Sequence, residues 1–212
     1  SITLNRLNYT DKQFFLYSSG SNQKMMSAGS FDDDSFKIKV NYIDGRIRLK
    51  KSDRETGDIP LGDATLNGAV YDLYDSDMNY IDSFITGKKD KISKLPIGHY
   101  YIKEKTASEG YMLDLNTYEV IIDENNLNKE ITVYEDIIKR RVDVFKVFDN
   151  GGTGILTTEE GVIFDIYDST NNKVGSITTD SDGYASIVLP YGIYTFKQAT
   201  STKNYYKVDD FK

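Results

Sequence analysis

The sequence predicts an all-β protein of tandem sandwiches, on three observations. Apolar and polar residues alternate over short stretches, turn signals recur about every 8–12 residues, and no 3.6-residue apolar period appears, so helix content should be small. Seventeen Tyr and ten Phe, with many Ile, Val and Thr and only three Pro, favour strands. The third observation is a repeat. Leu95-Pro96-Ile97-Gly98-His99-Tyr100-Tyr101-Ile102-Lys103-Glu104 returns as Leu189-Pro190-Tyr191-Gly192-Ile193-Tyr194-Thr195-Phe196-Lys197-Gln198, and residues 68–76 return as residues 161–169. The offsets, 94 and 93 residues, are the size of a domain and too long for a solenoid unit.

Composition narrows the function classes. A chain of 212 residues, 39% of them apolar, can bury two modest cores. A net charge of −7 with 26 Lys and Arg gives no basic groove for nucleic acid. No apolar run approaches the roughly 18–20 residues that span a bilayer, and the first twenty residues lack a signal-peptide core; an exported protein would therefore contain this chain as a fragment. Cysteine is absent, which excludes disulfides, thiolate metal sites and Cys nucleophiles and raises the question of what staples the domains instead. Asp32-Asp33-Asp34 reads as a solvated turn and Thr179-Asp180-Ser181-Asp182-Gly183 as a hairpin turn, so no metal site and no cofactor are expected. His99, the sole histidine, alternates outward and has no Ser or Asp partners, so no reaction on an external substrate is expected.

Taken in order, residues 1–44 match neither repeat. They contain β-like pieces at Gln13–Tyr17 and Phe36–Val40 and read as the C-terminal strands of a preceding β domain or a linker segment. Residues 45–138 form the first full repeat. In its opening strand Ile47, Leu49 and Lys51 share one face, so a lysine ends an inward row. Strands follow around Ala69–Tyr74 and Tyr80–Phe84. After the Leu95–Gly98 turn, Tyr100, Ile102 and Glu104 share a face; Tyr118–Ile122 is the next strand, and Ile131, Val133 and Glu135 share a face in the last. Lys51, Glu104 and Glu135 thus converge at one end of a core. Lys139-Arg140-Arg141 reads as a short linker into the second repeat, residues 139–212, in which Val142, Val144 and Lys146 and then Tyr194, Phe196 and Gln198 keep the same parity. Only 14 residues follow Gln198 where 31 separate Glu104 from Glu135, so the final strand of this repeat is expected to be missing, either cut off or supplied by another segment.

These motifs resemble a family. An inward Lys on the first strand, then Leu66-x-Gly68-Ala69-x-Tyr71-x-Leu73-Tyr74-Asp75, Leu95-Pro96-x-Gly98-x-Tyr100-x-x-x-Glu104 and Glu109-Gly110-Tyr111, look like the B-type (CnaB or SpaA) repeat of Gram-positive collagen adhesins and pilins. The resemblance covers residues 45–138 well and 142–212 in part. It implies transthyretin-like, Ig-like sandwiches in which a first-strand lysine can form an amide with Asn or Asp of the last strand, assisted by a Glu. A buried Lys that loses its proton is nucleophilic, and a buried Glu of raised pKa polarises the acceptor carbonyl. Here Lys51 and Glu104 fit, but the acceptor position holds Glu135, whose extra methylene shifts the carbonyl by roughly 1.5 Å. An unreacted Lys51–Glu135 ion pair with Glu104 nearby is expected in place of the amide. In the second repeat Lys146 fits, but Gln198 cannot carry a proton, and no bond is expected. Asn41, upstream of Lys51, is a further acceptor candidate that parity places on the wrong face unless a bulge intervenes.

The implied role is a structural stalk or adhesion segment, extracellular and anchored to the cell wall through parts of the parent protein. Tension would pass through first and last strands at opposite ends of each sandwich. Expected partners are neighbouring modules of the same chain and, through the parent protein, a host extracellular-matrix protein or glycan. Direct binding of such a ligand, for example by Tyr205-Tyr206, is the alternative. An accessory domain of an enzyme is a third reading.

Overall fold

The computed structural model describes residues 13–16, 26–30, 44–149, 151–201 and 206–212. The expected strand Phe36–Val40, the Asp32–Asp34 turn, Asn41 and Tyr205 lie outside the described residues. All the regular structure is β. Ser1–Tyr42 and Ile43–Lys212 are separate compact units. The first contains β1 (Gln13–Leu16) antiparallel to β2 (Met26–Ser30).

The larger unit opens with β3 (Gly45–Asp53), whose Ile47 and Leu49 point inward and whose Arg46, Arg48 and Lys50 face water. β4 (Val70–Tyr74) and β5 (Tyr80–Ile85) form a hairpin; β6 (Lys91–Leu95), which the turn signals do not announce, precedes β7 (Gly98–Thr106), β8 (Thr117–Ile122) and β9 (Asn128–Glu135). Two sheets face each other, one of order β6-β3-β9 and one of order β5-β4-β7-β8. Tyr71, Leu73, Phe84, Ile102, Ile122 and Val133 fill the space between them, each fully buried, and each such side chain stabilises the fold by about 1.5–3 kcal/mol.

β9 runs parallel to β3 and hydrogen-bonds to it from Arg46↔Asn128 to Asp53↔Glu135. First and last strands are therefore immediate neighbours, which corrects the expectation that they lie at opposite ends of the sandwich. Only the chain entry at Gly45 and the exit after Glu135 are at opposite ends, because the strands are parallel.

Lys139-Arg140-Arg141 is not a linker either. These residues begin β10 (Lys139–Phe145) although all three are exposed, because β15 (Tyr184–Pro190) pairs along the whole length, Lys139↔Pro190 included. The hairpin of β11 (Val147–Asp149) and β12 (Leu156–Thr158) comes next, followed by β13 (Ile163–Tyr167), β14 (Lys173–Thr178) and β16 (Thr195–Gln198) in a sheet of order β14-β13-β16. Val144, Val162, Phe164, Ile166, Leu189 and Phe196 make a second core. Among the described residues β10 has a strand neighbour on one side only. Phe211 bridges to Phe196 across β16 and stacks on its ring at 5.3 Å between centroids.

The two halves repeat in detail. Thr86 Oγ1 accepts from the Ala69 N–H and donates to the Leu66 carbonyl, as Thr179 Oγ1 does with Val162 and Glu159. The Tyr100 hydroxyl donates to the Pro96 carbonyl and Tyr194 to that of Pro190, which fixes both Leu-Pro-x-Gly turns from above.

Candidate functional site

At the exit end of the β3–β9 ladder the inward rows finish in charge. Lys51 follows Ile47 and Leu49 on β3, Glu104 follows Tyr100 and Ile102 on β7, and Glu135 follows Val133 on β9. Their side chains are 1%, 0% and 1% exposed, so none of the three reaches solvent. The ammonium lies 3.2 Å from Glu104 Oε1 and 3.9 Å from Glu135 Oε2. It is thus nearer Glu104, the reverse of the pairing expected from the sequence. Register gives the reason: Val133 is the residue opposite Lys51, and Glu135 sits two residues further, opposite Asp53. The Tyr71 hydroxyl, from the strand facing Glu104, donates to Glu135 Oε1 and holds it there.

The Asp114 N–H donates to Glu104 Oε2 at 2.7 Å. The Tyr111 ring covers the ammonium at 5.0 Å from its centroid, a cation–π contact, while its hydroxyl donates to Asp53 Oδ2 at 2.8 Å. One ammonium faces two buried carboxyls, and Coulomb repulsion in a dry site discourages ionising both. Burial pushes the Glu135 carboxyl up; the Tyr71 hydrogen bond and Lys51 pull it down, Glu104 and Asp114 push it up again, and the net shift is upward. Burial also raises Asp53, but hydrogen bonds from Tyr111 and the Glu55 and Thr56 N–H groups outweigh it and leave that carboxyl below its usual range. The Tyr71 hydroxyl is held protonated by burial and by its carboxylate partner.

The second sandwich arranges its lysine differently. Lys146 is buried and pairs with Glu159 at 2.8 Å, and it donates to the Val147 carbonyl. Gln198 occupies the place of Glu104 and keeps one of its tasks: its Oε1 accepts the Val208 N–H, ten residues downstream, as Glu104 accepts that of Asp114. Its amide donates to the Thr200 carbonyl.

Sequence reasoning missed Tyr71, Asp53, Tyr111 and Glu159. Tyr71 carried a signal, since it shares the inward parity of Ala69 and Leu73, and a buried tyrosine hydroxyl needs a partner. Phe164 stands at the same place in the second repeat, where its ring packs edge-on against Phe211 at 5.8 Å between centroids. Glu159 lies in a loop that differs between the repeats, and alternation says nothing there. His99 is exposed and contacts Glu119 across the strand at 2.9 Å.

The SpaA family model, described as a prealbumin-like fold domain, matches residues 45–137 and 146–212. The fold is similar to that of the Bacillus anthracis TIE protein, with a TM-score of 0.69 and 23% identity over 92% of this chain and 36% of that one. It is also similar to the pilus adhesin SpaC from Lactobacillus rhamnosus GG, with a TM-score of 0.52 and 15% identity over 77% of this chain and 25% of SpaC. A C-terminal fragment of SpaC gives 0.50 and 15% over 77% and 78%. The chain spans about a third of the length of the TIE protein. No curated protein is matched in sequence. Among the described residues no helix is long and apolar enough to cross a membrane.

Proposed function

The chain belongs to the SpaA family of prealbumin-like fold domains, and from that premise we propose that it is a load-bearing stalk segment of a Gram-positive adhesin or pilin-like surface protein. In this reading residues 1–44 are the C-terminal strands of a preceding β domain or a linker segment, residues 45–138 and 139–212 are two B-type modules, and wall anchoring and host contact belong to other parts of the parent protein. The cluster residues act within the chain, and none is assigned an external substrate.

The observation that carries this reading is the parallel pairing of β3 with β9. Tension that enters at Gly45 and leaves after Glu135 loads the ladder from Arg46↔Asn128 to Asp53↔Glu135 in shear, so its hydrogen bonds resist together and do not open one by one. Lys51, Glu104 and Glu135 add a buried side-chain tie at the exit end. We assign this tie as an unreacted ion-pair cluster, because the ammonium sits nearer Glu104 than Glu135. Lys146 and Gln198 form no bond to each other in this reading.

Single-molecule extension of the whole chain tests the proposal. The sandwich of β3–β9 should yield at a higher force than that of β10–β16, whose first strand lacks a parallel neighbour among the described residues; equal or reversed forces would overturn it. Intact mass should be unshifted, whereas a loss of about 18 Da would replace the ion pair with a Lys51–Glu135 amide. Direct binding of a host protein or glycan is the second reading, supported by a groove of about 540 Å³ beside β3, lined by Arg48, Lys50, Asp58, Asp90 and Glu130 among others.

A further inference from the structure

The Leu189-Pro190-Tyr191-Gly192 turn has a seat on the other sandwich. Its Tyr191 carbonyl accepts the Asp63 N–H at 2.9 Å, and the Tyr191 N–H donates to the Ile138 carbonyl at 2.8 Å. Asp63 returns the contact, since its Oδ2 accepts the Ile193 N–H at 2.8 Å and its Oδ1 accepts the Ser169 hydroxyl. The Tyr191 hydroxyl donates to Glu109 Oε1 at 2.7 Å. Two glycines make room. A Cβ on Gly62 would lie 2.2 Å from the Tyr191 carbonyl oxygen, and one on Gly110 would lie 2.5 Å from Ala64 and 2.9 Å from the Tyr191 ring. Both have positive φ, so the backbone is shaped to let the turn in. Consistent with this fit, both sandwiches fall within one compact unit.

What the turn presses on is the lid of the charged cluster. Glu109 and Gly110 lead directly into Tyr111, whose ring covers the Lys51 ammonium, and Ala64 packs with Tyr111 and Ile137 in a small cluster of their own. The Ile138 N–H donates to the Gly110 carbonyl and the Met112 N–H to that of Asp136, which ties the lid to the exit of β9. We propose that the Leu189–Ile193 turn of the second sandwich is a docked partner of this surface and that its docking keeps Tyr111 closed over Lys51. Asp63 and Tyr191 are then positioning residues for a cluster they do not touch. The first sandwich holds its strand tie dry only while its neighbour is seated, so separation of the two modules under load opens the tie. This deepens the stalk reading and rests on it for its meaning, but its test reads solvent access at zero force and fails independently of any unfolding force.

The test compares the full chain with two variants. Tyr191→Ala removes the ring and hydroxyl of the seated turn. Gly62→Asn keeps a residue that tolerates positive φ while placing a Cβ against the Tyr191 carbonyl. Each is treated in the native state with a small amine-acylating reagent, and modified lysines are located by mass spectrometry, with exposed Lys88 as the internal reference; amide hydrogen exchange is followed at Met112 and Ile138. Labelling of Lys51 relative to Lys88, and exchange at both amides, should rise about tenfold in each variant, as expected when a hydrogen bond and the packing that hold a lid are lost. Labelling of Lys146 should not change, and this also confirms that the second core is intact. If Lys51 is cross-linked and silent to the reagent, the two amides decide. Unchanged Lys51 labelling together with unchanged exchange at Met112 and Ile138 in both variants would overturn the proposal.

Discussion

Replacing Lys51 with Met tests whether the buried cluster depends on its cation. The methionine fills a similar volume but leaves Glu104 and Glu135 facing each other with side chains 0% and 1% exposed. Removing one partner of a buried ion pair costs about 3–5 kcal/mol, and because no solvent screens the site no discount applies. The lower part of that range is expected, since Glu135 is already biased towards its neutral form and can take up a proton to relieve the repulsion. With a urea slope of about 1–3 kcal/mol/M, a loss of about 3 kcal/mol moves the midpoint by roughly 1–3 M. The transition of this sandwich can be followed separately by hydrogen exchange at Ile47 and Leu49. Acid should close the gap between variant and wild type, because the Glu135 carboxyl takes up its proton more easily once the ammonium is gone. A midpoint shift below about 0.5 M at neutral pH, or a deficit that does not shrink towards pH 5, would refute the claim that charge compensation holds this end of the core.

Two further substitutions follow from the geometry. Glu135 has a folded pKa above its ordinary value of 4.5, so the native state keeps a proton in a window where the unfolded chain has lost it. Its favourable contribution is complete below 4.5 and is lost as pH rises through the raised folded value, so wild type measured against Glu135→Gln should lose ground from acid to neutral pH in urea titrations. Thr86→Val leaves the Ala69 N–H and the Leu66 carbonyl without their shared hydroxyl, and Thr179→Val does the same to Val162 and Glu159; each should cost about 1–3 kcal/mol in its own sandwich, read as a fall in thermal midpoint.

Parity carried most of what the sequence revealed. The rows Ile47-x-Leu49-x-Lys51, Tyr100-x-Ile102-x-Glu104 and Val133-x-Glu135 face inward as alternation requires, because a strand has a period of two wherever it lies. Alternation is silent about pairing order. It could not place β9 beside β3, nor show that Glu135 is offset by two residues from Lys51, and those two facts decide which carboxyl meets the ammonium. Boundaries also depend on tertiary contact. Lys139-Arg140-Arg141 looks like a polar connector in isolation and becomes strand because β15 supplies the other half of its hydrogen bonds. The Asp63–Tyr191 contact was out of reach altogether, since it joins loops 128 residues apart that have no shared pattern.

The second repeat shows how few members of the cluster can be changed independently. Where Glu104 becomes Gln198, Tyr71 becomes Phe164, and the ammonium of Lys146 is matched by Glu159 from the loop before β13. A buried lysine has to be paired whatever else is lost, so the carboxylate is supplied by whichever segment can reach it. The consequence is mechanical. Lys51 meets a residue 53 positions away on the opposite sheet, whereas Lys146, between β10 and β11, meets one just past the β11–β12 hairpin, so the second pair neutralises charge without joining distant parts of the chain. Glu159→Gln should therefore lower the stability of the second sandwich by about 3 kcal/mol, as any broken buried pair does, yet leave the unfolding force of the first unchanged. Urea denaturation and extension of the same variant separate the two effects. A stability loss below about 1 kcal/mol, or a fall in the force at which the β3–β9 ladder yields, would show that the two lysines are not the independent devices their partners imply.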